Sequence, residues 1–183
     1  MFTSLCIYAP AMPHWVPDDA TLAQLLTYFS PTAVTVWGHD GPLLWDAENQ
    51  PGPTHIRDCA TVAEAVEAAH QMQCATTCFF LKAHQWSERV RNEFQDRPGL
   101  ETYEHFAPCC VSVTVGPQSL PDPTHTRTAA QTSFALALGG DGMPKDLQHY
   151  RAAALESESI ASLIGFLAKV TGVVWDITFD CTY

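Results

Sequence analysis

Positive charge is scarce in this chain: 9 Lys plus Arg stand against 20 Asp plus Glu, a net charge of −11 over 183 residues. A surface of that sign repels phosphate backbones and anionic headgroups. Nucleic acid and membrane surfaces are therefore excluded as expected partners, and a basic protein, a cation or a neutral small molecule is left. Charge of either sign is sparse as well, at 16% against the roughly 25% usual for globular domains. No apolar run approaches the ~20 residues that a membrane-spanning helix needs. No Lys or Arg precedes the short apolar run at the N-terminus, and Pro10, Pro13 and Pro17 interrupt it, so no export signal is read there. The seven cysteines do not form an even set, and several lie inside apolar runs such as Leu5-Cys6-Ile7. Buried thiols in a cytoplasmic protein fit this usage better than a disulfide framework. Repeats and low-complexity tracts are also lacking, and the length suits a single globular domain over 1–183.

What is present is a clear alternation of periodicities. Leu22, Leu25, Leu26 and Phe29 share a helical face behind Asp18-Asp19. Thr61 and Glu64 form a capping-box pattern ahead of Val62, Val66 and Ala69. Trp86, Val90 and Phe94 mark a third helix. Ile160, Leu163, Ile164, Leu167 and Val170 mark a fourth, with Lys169 in its last turn and Gly172 placed to end it. Strands are expected at 5–9, 33–37, 77–82, 111–115, 134–138 and 173–179. His39-Asp40-Gly41 reads as a tight hairpin turn into Leu43-Leu44-Trp45. The stretch Gly116 to Thr128, with Pro117, Pro121 and Pro123, is the best candidate for a mobile surface loop. In the last strand Val173, Trp175, Ile177 and Phe179 oppose Val174, Asp176, Thr178 and Asp180. One-sided strands of that kind suit a sheet with helices on one face and solvent or a partner on the other. The expected fold is α+β: a two-layer sandwich whose sheet is mixed and mostly antiparallel, with helices packed on one face.

Chemistry is less legible. His70, Cys74 and Cys78 are spaced by four, with His84 following, but the spacing departs from the common zinc patterns and Cys78 falls in a strand. Cys109-Cys110 follows His105, yet it opens a Val-rich strand where packing outweighs thiolate reactivity. Acids and histidines recur in turns, at His39-Asp40, Asp46, Glu48 and Asp141, without a spacing that makes them converge. The run Gly139-Gly140-Asp141-Gly142 matches neither the dinucleotide nor the phosphate-loop pattern, and no Gly-x-Ser-x-Gly occurs. No catalytic residue, metal ligand or cofactor is assigned.

The feature that remains is the acidity itself. Asp176 and Asp180 share the polar face of the last strand, ~13 Å apart at strand rise. Glu156 and Glu158 are placed to join them, and Trp45 beside Asp46 is a candidate aromatic anchor. The expected function is a non-enzymatic binding protein that holds a basic protein partner. Its most concrete form is an inhibitor or immunity-type protein that neutralises a toxin. Two alternatives stand beside it: a hydrolase using the His and Asp residues of the 39–55 and 139–149 loops, and a metal- or small-molecule-binding module around His70, Cys74 and Cys78. The exposed strand face fits a homodimer interface equally well.

Overall fold

The computed structural model describes residues 2–43, 51–95, 111–121, 127–137 and 147–182. In chain order these give β1 (Phe2–Tyr8), α1 (Asp19–Thr27), β2 (Val34–His39), β3 (His55–Cys59), α2 (Val62–Met72), β4 (Thr76–Leu81) and α3 (His84–Gln95). There follow β5 (Val111–Pro121), β6 (Arg127–Ala137), α4 (Leu147–Glu156), α5 (Glu158–Thr171) and β7 (Asp176–Thr182). The seven strands form one sheet in the order β3-β2-β4-β5-β6-β1-β7. Every ladder in it is antiparallel. A single parallel bridge, Leu43 to Gln118, lies outside the named strands, and the sheet is in that sense less mixed than expected.

The alternation read in the sequence becomes rungs across this sheet. Val36, Phe79, Val113, Phe134, Ile7 and Ile177 lie side by side on one rung. The parallel rung through Val34, Leu81, Val111, Leu136 and Leu5 points the same way. All five helices bury residues against this face, including Leu25 and Leu26 of α1, Ala65 of α2, Trp86 of α3, Ala154 of α4 and Leu163 of α5. The result is the two-layer α+β sandwich. On the opposite face a rung runs Ile56, Trp37, Cys78, Thr114, Ser133, Tyr8, Asp176. That face is not simply solvated: Cys6, Cys78, Ser133 and Thr178 on it are buried.

The helix ends follow the local chemistry. Asp18 accepts from the Thr21 backbone N–H at 2.7 Å and starts α1. Thr61 caps α2 through Glu64 N–H, while the Glu64 carboxylate reaches back to the Ala60 N–H rather than to that of the cap residue. Gly172 stops α5 in the left-handed region at φ 69°.

Four expectations change. The hairpin at His39-Asp40-Gly41 does not form. Thr35 to Gly38 pair instead with His55 to Asp58, and Leu43 docks beside Pro117 and Ser119. The missed strand β3 is exposed along four of its five residues, because it sits at the sheet edge and has little to bury. The Gly116–Thr128 stretch is largely the two arms of the β5–β6 hairpin, leaving only 122–126 outside the described residues. Gly116 marks a bulge there: at φ 125° a side chain would meet the Ala75 carbonyl and the Thr76 Cα. Finally, 173–175 precede β7 rather than belonging to it, and α4 is a helix that the periodicity did not reveal.

Candidate binding surface

The connection from β1 to α1 carries Ala9-Pro10-Ala11-Met12-Pro13-His14-Trp15-Val16-Pro17. Three prolines deny this stretch backbone donors and fix φ, so it cannot continue either element. It folds as two successive turns, Met12 N–H to the Ala9 carbonyl and Trp15 N–H to the Met12 carbonyl. The Thr132 hydroxyl of β6 then pins it by donating to the Trp15 carbonyl at 2.9 Å. The Trp15 ring packs edge-on against Trp175 with centroids 5.6 Å apart, and Trp175 packs in turn against Phe134 at 5.5 Å. The Trp175 indole N–H donates to Thr171 Oγ1, so the ring is fixed at both ends.

The chain neighbours of this pair face outward. Val16 is 51% exposed, Met12 49% and Val174 75%. Only two other large hydrophobics among the described residues are exposed to this degree, Ile56 and Leu155. Val16 and Val174 adjoin in the chain the two tryptophans that pack together, and exposed apolar residues brought to one place in this way mark an interaction surface. Carboxylates flank it: Asp18 and Asp19 follow Pro17 directly, and Asp176 stands two residues beyond Val174. The bonds from Thr21 hold the fully exposed Asp18 carboxyl below its ordinary pKa.

The expected acidic residues divide as follows. Asp176 opens β7, and its Oδ1 accepts from Arg151 of α4 at 3.1 Å and from the Ile177 N–H at 2.8 Å. Arg151 also donates to the Ile177 carbonyl, tying α4 to this edge of the sheet. Glu156 lies five residues beyond Arg151, about 7.5 Å further along the helix at ordinary rise, and is exposed. Glu158 is exposed in the first turn of α5 and lines a cleft of about 530 Å³ with Tyr28, Trp86, Arg89, Glu93, Ser159 and Ser162. The amide and hydroxyl of Ser159 are taken up by the Glu93 carboxylate, which also accepts from Ser157. Asp180 shares the face of Asp176 by register, opposite Ser4. Trp45 and Asp46 lie outside the described residues.

The other candidates disperse. His70 is on the exposed side of α2, 3.8 Å from Asp19, while Cys74 rests over Gly38 and Cys78 sits across from Thr114 on the opposite face of the sheet. Among the described residues no group of three His, Cys, Asp or Glu stands close enough to hold a metal. Burial and the Thr114 hydroxyl act on the Cys78 thiol, burial being the larger and raising its pKa. His39 is buried, and neither ring nitrogen completes a hydrogen bond. Asp46, Glu48, Asp141, His105, Cys109 and Cys110 lie outside the described residues. No helix among the described residues is long and apolar enough to cross a membrane.

In the sequence Trp15 stands out as a loop aromatic flanked by His14 and two prolines, more readily than its apolar neighbours do. The available signal was Met12 and Val16 between prolines, since apolar residues in such a segment have no core to reach. Val174 gave a second signal, as a valine on the polar phase of an alternating stretch. No family model, curated protein or solved structure matches the chain.

Proposed function

We propose that this protein is a non-enzymatic binding protein that holds a basic protein partner, in the manner of an inhibitor or immunity-type protein. The carrying observation is the exposure of Met12, Val16 and Val174, the two valines being chain neighbours of the packed Trp15 and Trp175, with Asp18, Asp19 and Asp176 close by in the sequence. An apolar centre with a charged rim is the usual anatomy of a protein interface. The three prolines and the pinned tryptophans lower the ordering cost that a floppy loop would add on association. The charge of −11 supports a partner of opposite sign.

The test is capture of partners from native lysate by tagged protein, comparing the wild type with a Val16→Ser, Val174→Ser double variant. Both positions are exposed, so the fold is expected to survive. The wild type retains a stoichiometric basic protein, and the double variant loses it or weakens it by about tenfold or more. Equal retention by both proteins would move the interface elsewhere, and capture of nothing basic would reject the reading.

A further inference from the structure

The two margins of the sheet are treated very differently. At β7, Arg151 of α4 donates to the Ile177 carbonyl and so closes part of the outer edge. At the other margin β3 ends the sheet, and among the described residues no element pairs with its outer side. Residues 55–58 are all exposed, with Ile56 at 60%. A strand with a free outer edge offers main-chain donors and acceptors to an incoming strand.

The neighbours of that edge specify what would pair there. Side chains alternate across a strand, so Ile56 and Asp58 lie on the outer face of the sheet and Arg57 on the helix-covered face. Ile56 is opposite Trp37, whose ring packs on Phe80 at 4.8 Å, and an apolar strip therefore runs inward from this edge. Asp58 accepts from the Thr35 hydroxyl at 2.8 Å and remains exposed. Arg57 is directed to Gln71 of α2 at 2.7 Å, and α2 presents the exposed Glu64 and Glu67 beside it.

We infer that the β3 edge is a strand-addition site for an extended segment with an apolar residue and a Lys or Arg two positions apart. The apolar residue covers Ile56 on the outer face, and the cation faces Asp58. A second copy of this chain is the poorer occupant. Antiparallel self-pairing would bring together two edges that each carry Asp58, Glu64 and Glu67 against Arg57, within molecules of charge −11. Pro53, two residues before the strand, limits the added strand to a short one. This surface is separate from the one around Trp15 and does not depend on it.

The test uses the whole protein and synthetic ten-residue peptides of alternating Thr with Val and Lys, or Thr with Val and Glu, followed by calorimetry and amide hydrogen exchange. The Val/Lys peptide is expected to bind and to slow exchange within 55–59. Asp58→Lys is expected to weaken it by about tenfold, as an attractive cross-strand pair becomes a repulsive one. The Val16→Ser, Val174→Ser variant binds the peptide unchanged, which separates this site from the surface proposed above. Equal binding of the Val/Glu peptide, protection elsewhere than 55–59, or concentration-dependent dimerisation through β3 would each overturn the assignment.

Discussion

His39 shows how a single residue can couple this fold to pH. It ends β2 with 6% exposure, and burial holds its pKa below the ordinary histidine value. The Pro51 carbonyl opposes that shift without completing a hydrogen bond of ordinary geometry. A histidine whose folded pKa is depressed binds its proton more readily when unfolded. Its stabilising contribution is therefore present above the unfolded pKa, near 6.5, and is lost as pH falls from there toward the folded value. Thermal unfolding followed from pH 7.5 to 5 should show a falling midpoint, and His39→Gln should flatten that fall. An unchanged slope in the variant would show that other histidines set it. Gly38, the preceding residue, has the opposite role: a Cβ there would lie 2.6 Å from the Cys74 sulfur, so the strand admits no side chain at that point.

At the level of elements, α5 depends on a residue of α3. Glu93 receives the Ser157 hydroxyl, which itself caps the helix by accepting from the Ile160 N–H, and receives both the amide and the hydroxyl of Ser159. Removing the carboxylate leaves the buried Ser157 hydroxyl and a helix-end amide without their acceptor. Glu93→Ala should therefore lower the unfolding free energy by about 1–2 kcal/mol, measured by urea denaturation. Glu93→Gln, which keeps one acceptor oxygen, should lose less. Nothing in the sequence pairs position 93 with 157 and 159, because cap partners 64 and 66 residues away leave no local pattern. The caps that were legible, at Asp18, Thr61 and Gly172, are those whose partners lie within a few residues. Strand β3 was illegible for a related reason. An edge strand buries almost nothing, so the alternation that betrays interior strands is missing from His55–Cys59.

Across the whole molecule, layer and class were readable because the core face is built from period-two apolar positions on six strands. Strand order was not, because register between distant strands depends on contacts that sequence spacing does not record. The candidate surface was half legible: its acidity could be counted, whereas its centre depends on Trp15 meeting Trp175 across 160 residues. The same charge makes a prediction of its own. If a basic partner is held at this surface, its association rate should fall steeply between about 50 and 500 mM salt, as screening shortens the reach of the field. Its dissociation rate should change far less, which stopped-flow or surface-based kinetics would resolve. A rate insensitive to salt would remove charge from the account of recognition.

One consequence of the strand order concerns synthesis. β1 leaves the ribosome before the other six strands of this sheet, yet its two neighbours are β6 and β7, the last two of the seven. Phe2 lies beside Thr182 and Ser4 beside Ala137. Until β6 is made the apolar Leu5 and Ile7 have no strand beside them. The sheet's last seam closes only once β7 is free to reach back. Completion of the sheet then waits for β7, and Phe2–Tyr8 is the segment a nascent-chain chaperone would have to shield until then.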